Sequence, residues 1–120
     1  MENIEEWVKE LKKSNKIIIV EGSNDEKSLK KLGIKNIFYL KEPLFKAVEK
    51  IAELGKEAII LTDFDKEGRK LYGKLLKDLQ KNGVKIDKKF REWLQKNTKL
   101  SHIEGLTKYF ENFKKEKRKF

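Results

Sequence analysis

Short apolar runs alternate along this chain with longer segments in which apolar residues recur at helical spacing. The runs lie at residues 16–20, 37–40 and 58–62, and a shorter one lies at 84–86. Their length and their β-branched or aromatic side chains are typical of strands buried on both faces. The pattern therefore predicts four strands.

The segments between and after the runs predict six helices, because apolar residues return there every three or four positions. These helices are expected over 2–13, 24–32, 43–54 and 66–82, around Phe90–Leu94, and around Ile103–Phe113. Ser23 and Glu26 form a capping-box pattern that opens the second helix. Phe45 is expected on the buried face of the third helix, and the glycines at 33, 55 and 83 are expected to end helices.

Strands that alternate with helices predict an α/β fold, with a Rossmann-like, about four-stranded and mostly parallel sheet covered by helices on both faces. The 120 residues suit a single domain. Its motif-bearing core is expected over about 16–84, and a basic helical C-terminal part over about 88–120. Sheets of this kind bind ligands at the carboxyl ends of their strands.

Composition narrows the chemistry that the chain can perform. It has no cysteine, which excludes disulfides, thiolate metal sites and a cysteine nucleophile, and it has a single histidine, His102. A metal is therefore expected to be held by oxygen, which favours Mg²⁺, Mn²⁺ or Ca²⁺. No apolar stretch approaches the ~20 residues that span a membrane, and no signal-peptide pattern is present, so a cytoplasmic location is expected.

The net charge of +10 is unevenly distributed along the chain. Residues 1–65 contain 12 lysines and no arginine against 13 acidic residues, a net charge of −1. Residues 66–120 contain 18 basic residues against 7 acidic ones, a net charge of +11. The positive charge of residues 66–120 could simply form a solvated surface. Because the excess of basic residues is confined to this half of the chain, it favours a polyanionic partner, and nucleic acid more than a membrane.

Carboxylates follow two of the apolar runs. Glu21 ends the first run and is followed by Gly22, and Asp63 and Asp65 follow the third run. Strand side chains alternate between faces, so two carboxylates two residues apart are expected to point the same way. Like charges held so close repel each other unless a cation or a proton compensates. Glu21, Asp63 and Asp65 therefore form a candidate metal site.

These residues resemble the two motifs of the Toprim domain. That domain is shared by type IA and type II topoisomerases, bacterial primases, overcoming-lysogenization-defect nucleases and the ribonuclease that matures 5S ribosomal RNA. The similar segments are Val20–Gly22 and Thr62–Arg69, and Lys99–Leu106 is similar to a glycine–glutamate segment of that ribonuclease. The chain looks most like the small stand-alone Toprim proteins of archaea and bacteria.

The resemblance implies a role for each of the acidic residues. Asp63 and Asp65 become ligands of Mg²⁺, with Mn²⁺ as a substitute, and Glu21 becomes the proton-transfer residue or a further ligand. RNA or DNA becomes the expected partner, and a protein partner is a further option. Two departures argue against a topoisomerase working alone: Arg69 stands where type IA topoisomerases usually carry Glu, and their catalytic tyrosine lies on another domain, which this chain is not expected to have. The tyrosines at 39, 72 and 109 lie in apolar patterns typical of packing.

The residues around the two motifs can be interpreted as functional or as structural. Lys66 and Arg69 fall in the first turn of a predicted helix, where they can help to bind phosphate or can be merely exposed to solvent. Gly22 and Gly68 are expected to permit close backbone approach within the site. His102 is interpreted as a surface or capping residue, since nothing near it in sequence completes a nucleophile–base set.

Three functions remain open from the sequence. The first is a magnesium-dependent, nuclease-like enzyme that processes nucleic-acid phosphodiester bonds. The second is a non-catalytic nucleic-acid-binding module or a subunit of a larger nucleic-acid-processing assembly. The third is a small phosphotransfer protein that acts on a nucleotide.

Overall fold

The computed structural model describes residues 1–118, and within them a four-stranded sheet forms the centre of the molecule. Its strands are β1 (Ile17–Val20), β2 (Ile37–Tyr39), β3 (Glu57–Ile60) and β4 (Lys85–Ile86). The strand order is β2-β1-β3-β4, and each neighbouring pair is parallel. The predicted fold class is confirmed, and the sheet is parallel throughout rather than mostly so.

Six α-helices surround the sheet in the described part of the chain, in the predicted order. They are α1 (Ile4–Lys13), α2 (Ser23–Lys31), α3 (Leu44–Leu54), α4 (Lys66–Lys81), α5 (Lys89–Asn97) and α6 (Leu106–Arg118). A short 3-10 helix (Ile103–Gly105) directly precedes α6. Among residues 1–118, none of these helices is long and apolar enough to cross a membrane.

The helices form two layers, one on each face of the sheet. On one face, α1, α2, α5 and α6 share a core with β1 and β3, and Trp7 packs there edge-on against Phe90. On the other face, α3 and α4 pack against β1, β3 and β4. Side chains of β1 and β3 alternate between the two cores, and so these central strands are apolar on both faces.

Two helix-level predictions are wrong in detail. The N-cap of α2 is Gly22 rather than Ser23, and the Asp25 carboxylate, not Glu26, accepts a hydrogen bond from the Gly22 N–H at 3.0 Å. Phe45, expected to face inward, is 64% exposed, because Leu44 occupies the inward position one residue earlier.

The sheet topology places two chain segments beside each other. Since β1 and β3 are hydrogen-bonded neighbours running in the same direction, their carboxyl ends lie at one edge of the sheet. Strand β3 ends at Ile60, two residues earlier than predicted, although Leu61 N still donates to Ile19 O at 2.7 Å. The residues after Leu61 therefore form a loop that begins at this edge.

The C-terminal part joins the core rather than extending from it. Ile103 and Leu106 are fully buried in the cluster that contains α1 and α2. Helix α6 continues to Arg118, so the basic residues from Lys114 to Arg118 are helical. Lys119 itself lies outside the described residues.

Candidate functional site

The loop after β1 and the loop after β3 are tied together at the carboxyl edge of the sheet. The Glu21 carboxylate oxygen Oε2 accepts a hydrogen bond from the backbone N–H of Asp63 at 2.8 Å. This bond links the two acidic motifs directly, although they lie 42 residues apart in sequence. Glu21 and Asp63 meet at one edge of the sheet as expected, although within residues 1–118 the group of ligand-capable atoms described below does not include Glu21.

Asp63 is held by a third segment that lies between α5 and α6. Its Oδ1 accepts a hydrogen bond from the Ile103 N–H at 2.8 Å, and the adjacent Phe64 N–H donates to Ser101 O at 2.8 Å. Residues 101–103 thus run across the loop at residues 62–65, called the acidic loop below, and fix both its backbone and the Asp63 carboxylate.

Asp65 has two roles at the start of α4. It is the N-cap residue, and its Oδ1 accepts a hydrogen bond from the Gly68 N–H at 2.7 Å. Its other oxygen, Oδ2, lies 3.3 Å from Nε2 of His102. One ligand-capable atom from each of Asp63, Asp65 and His102 lies within 4.8 Å of the other two.

Two sequence-based expectations change here. Asp63 and Asp65 do converge, but not through strand alternation, because β3 has already ended and Asp65 belongs to a helix cap. His102, interpreted from the sequence as a surface or capping residue, lies at the site beside Asp65. The signal that pointed to it was the similarity of Lys99–Leu106 to a segment of the 5S-rRNA-maturing ribonuclease.

Burial, with the charge of nearby carboxylates, raises the pKa of two acidic side chains at the site, Glu21 and Asp25. Burial raises the pKa of Glu21 to about 7; the Asp63 and Asp65 carboxylates add to the rise, and the hydrogen bond from Asp63 N opposes it. Burial likewise raises the pKa of Asp25, with the charge of Asp63 contributing and the Gly22 N–H opposing. A proton or a cation is thus favoured at this edge of the sheet.

A buried arginine that the sequence analysis did not single out supports the acidic loop. Arg91 of α5 is 5% exposed, and its guanidinium lies 4.5 Å from the Phe64 ring centroid and 4.4 Å from that of Tyr72. Its Nη2 donates to Asp63 O at 2.8 Å. This positive charge, placed between two aromatic rings, partly offsets the acidic cluster and fixes the Asp63 backbone.

The two glycines differ in how strongly the site requires them. A Cβ atom built on Gly68 would lie 2.1 Å from the Asp63 carbonyl oxygen, so the close approach expected there is present. A Cβ on Gly22 would meet nothing nearer than an Asp25 oxygen at 3.9 Å, so space does not require glycine at that position.

The first turn of α4 carries three exposed charged residues, Lys66, Glu67 and Arg69. Glu67 lies outside the cluster of ligand-capable atoms.

Comparison with known proteins agrees with this geometry. A family model for the Toprim domain matches residues 16–97 of the chain. The chain belongs to the Toprim family.

Relatives of similar length accompany this match. A UPF0292 protein of Methanocaldococcus jannaschii is 36% identical over 115 residues, which cover 90% of each chain. A UPF0292 protein of Methanosarcina barkeri is 40% identical over 116 residues, covering 91% of this chain and 81% of the relative. A solved structure of a protein from Aquifex aeolicus superimposes with a TM-score of 0.81 at 36% identity, covering 87% of this chain and 98% of its own.

The donor set of this Toprim site fits a hard divalent cation. Mg²⁺ is usually bound through one or two protein carboxylates, with water and phosphate oxygens completing an octahedron, and Asp63 and Asp65 supply two. The imidazole of His102 was not part of the expected all-oxygen set, and nitrogen donors suit transition metals better than Mg²⁺. A metal bound by all three residues would therefore be closer in character to Mn²⁺.

Proposed function

We propose that this Toprim protein is a magnesium-dependent, nuclease-like enzyme that processes phosphodiester bonds of RNA or DNA. The observation that carries the proposal is the convergence of Asp63 and Asp65 next to Glu21, with each carboxylate held by a backbone N–H group. The net charge of +11 on residues 66–120 supports an anionic polymer as substrate.

In this proposal Asp63 and Asp65 hold Mg²⁺. When bound, the ion supplies Lewis-acid polarisation of a phosphoryl oxygen and charge stabilisation of the leaving oxygen. Because the backbone N–H groups of Ile103 and Gly68 already orient one oxygen of each carboxylate, the ligands are positioned before any ion arrives.

Glu21 is the residue proposed to transfer a proton. General acids and bases work best when their pKa lies near the operating pH, and burial brings that of Glu21 to about 7 in the metal-free chain. Its bond from Asp63 N keeps the carboxyl at the edge of the site, where it can accept a proton from an attacking group or return one to a leaving group.

Lys66 and Arg69 are proposed to bind the substrate phosphate. Both are exposed on the first turn of α4, where free backbone N–H groups and the helix dipole favour an anion. Lys66 directly follows the capping Asp65 and Arg69 lies about one helical turn later, so both bring positive charge close to the carboxylates.

Isosteric substitutions test the enzymatic proposal. Asp63→Asn, Asp65→Asn and Glu21→Gln remove the negative charge yet keep an oxygen that accepts the existing backbone hydrogen bonds, and Asn caps a helix as well as Asp does. We expect each to reduce Mg²⁺-dependent cleavage of a panel of single-stranded and duplex RNA and DNA by at least ~100-fold. Glu67→Gln, an exposed carboxylate outside the cluster, is the matched control and should keep full activity. Cleavage that survives all three substitutions would contradict the proposal.

The segregated positive charge also supports a second function, that of a non-catalytic nucleic-acid-binding module within a larger assembly. A binding module predicts affinity that falls steeply with salt but does not change on addition of EDTA, and no cleavage by the wild-type chain. The enzymatic proposal predicts that EDTA abolishes turnover.

A further inference from the structure

Five lysines of α4 form one continuous stripe on its solvent-facing side. They are Lys66, Lys70, Lys74, Lys77 and Lys81, and all are exposed. With 3.6 residues per turn, these positions fall within an arc of ~80° around the helix axis. The buried residues Leu75 and Leu79 lie on the opposite side, against the sheet. The α4 stripe therefore faces outward along the whole helix.

The α4 stripe contains no acidic residue. Glu67 and Asp78 lie at its border, and Lys74 forms an ion pair with Asp78 at 3.2 Å. Within residues 1–118, the other four lysines of the stripe have no ion pair with an acidic side chain. Helix α1 differs, since it carries Glu5 and Glu6 in its first turn and Lys12 and Lys13 in its last turn.

This arrangement works against the stability of the helix. Lysines four residues apart repel each other by roughly 0.2–0.5 kcal/mol per pair, and 66/70, 70/74 and 77/81 are such pairs. Positive charge in the first turn is also unfavourable, because the helix dipole places partial positive charge there. A helix surface selected for folding alone would alternate acidic and basic residues. The stripe thus has a cost in folding that binding to an external anion would offset.

The α4 stripe is continuous with the acidic site. It begins at Lys66, directly after the capping Asp65, and extends for about 22 Å at 1.5 Å per residue. Gly73 lies beside it, and nothing lies within 4 Å of the position where its Cβ would be, so the helix backbone is open there. A long polyanion lying along the stripe would lead directly to the carboxylates.

We propose that the α4 stripe binds the sugar–phosphate backbone of a nucleic-acid strand and leads that strand to the carboxylate site. The inference rests on the proposed function for its substrate class. The Cβ atoms of lysines one helical turn apart lie about 5–6 Å from one another, and their ammonium groups act as point charges without base recognition, so the stripe binds phosphates irrespective of sequence. An anionic membrane fits less well, because the apolar side of α4 is buried against the sheet and cannot enter lipid.

Two triple variants of equal charge test the inference. Lys70→Gln/Lys77→Gln/Lys81→Gln removes three stripe lysines that lack ion pairs, and Lys9→Gln/Lys31→Gln/Lys35→Gln removes three exposed lysines elsewhere. Binding of a fluorescent 20-nucleotide RNA, a DNA of the same sequence and its duplex is measured in EDTA from 50 to 200 mM salt. The plot of log K against log salt has a negative slope, and each lost phosphate contact should reduce its magnitude by ~0.9 for duplex or ~0.7 for a single strand. For duplex, we expect the slope of the stripe variant to be less steep than that of wild type by about 2–3, and that of the control variant to change much less.

The stability of the same variants gives an independent readout. Removing repelling lysines should leave the thermal midpoint of the stripe variant unchanged or higher while its nucleic-acid binding falls. A variant that loses binding because it is misfolded would instead show a lower thermal midpoint. In that case the double variant Lys70→Gln/Lys77→Gln is compared with wild type, and its salt slope should change by about two thirds of the amount expected for the triple variant.

Other outcomes overturn the inference. Equal slopes for the stripe variant and the control, no nucleic-acid binding by the wild-type chain, or a stripe-dependent loss of binding only to phosphatidylserine vesicles would each do so. The proposed function is judged separately, on the carboxylate variants, which keep all five lysines. Carboxylate-dependent cleavage with stripe-independent binding overturns only the stripe, and stripe-dependent binding without cleavage overturns only the enzyme.

Discussion

At the residue scale, the acidic site is defined mainly by hydrogen bonds to backbone groups. Glu21, Asp63 and Asp65 each accept one from a backbone N–H, while Arg91 donates to the carbonyl of Asp63. The residue types at the strand exits were sufficient to predict the three acids. Arg91 could not be placed from sequence, because it reaches the site only through the packing of α5. The only sequence signal for His102 was the resemblance of residues 99–106 to a segment of the 5S-rRNA-maturing ribonuclease.

The close approach at Gly68 leads to a prediction about stability. Gly68→Ala puts a methyl group against the Asp63 carbonyl oxygen, so the acidic loop must shift. We expect a loss of ~1–3 kcal/mol in the free energy of unfolding, together with weaker Mn²⁺ binding measured by EPR. Gly73→Ala in the same helix meets nothing within 4 Å and should raise stability by ~0.5–1 kcal/mol. Equal effects of the two substitutions would contradict this account.

At the scale of helices and strands, the apolar pattern predicted the order of the four strands and six α-helices, but not the 3-10 helix before α6. The N-cap of α2 and the end of β3 differ from the prediction, and each difference has a local cause. The N-cap of α2 falls on Gly22, one residue earlier than expected, so its N–H donates to the Asp25 carboxylate rather than to Glu26. The third strand ends early because the chain must leave the sheet for Thr62 to donate to Gly68 O at 2.8 Å, a contact invisible to periodicity.

An ion pair between Lys16, the residue before β1, and Asp87, the residue after β4, gives a pH-dependent prediction. Burial alone would raise the pKa of Asp87, but hydrogen bonds from the Lys16 ammonium at 2.8 Å and from Lys89 N lower it below its ordinary value. A depressed folded-state pKa contributes stability above the unfolded value, ~3.9, that is lost as the pH falls through the folded value.

The measurement compares wild type with Asp87→Asn. At pH 7 wild type should be more stable in urea unfolding by up to about 1 kcal/mol, since Lys16 is partly exposed and the pair is screened by water. The difference should shrink as the pH falls below about 4, where Asp87 becomes protonated in wild type. A difference that stays constant from pH 7 to pH 3 would mean that the charge of Asp87 contributes nothing.

At the scale of the whole molecule, residues 1–120 are proposed to act as one domain. The sequence suggested a motif-bearing core and a basic C-terminal part, but it could not show how the two parts pack. In the structure the Leu106 side chain is completely buried among residues from α1, α2 and the sheet. Packing of this kind is set by the apolar faces of several helices at once, and no single segment encodes it.

Leu106→Ala tests the single-domain proposal. Truncating this buried side chain leaves a cavity in the core and should lower the free energy of unfolding by ~2–5 kcal/mol. Tryptophan fluorescence, which reports on Trp7 and Trp93, and far-UV circular dichroism should still give one coincident transition. Glu111→Ala, an exposed change in the same helix, should stay within ~0.5 kcal/mol of wild type. An early partial loss of helix with an unchanged main transition would indicate a separate C-terminal unit.

The segment at residues 101–103 has a consequence for how this site varies among relatives. It lies beyond residue 97, where the Toprim match ends, yet it fixes Asp63 and Phe64 through Ser101 O and Ile103 N. Main-chain atoms are the same for almost every amino acid, so substitutions at the exposed Ser101 can accumulate without altering these two bonds, and Ile103 is restricted by its burial rather than by its bond. Aligned sequences would then show little sign of the contact, whereas a single insertion or deletion there would displace both bonds from the acidic loop.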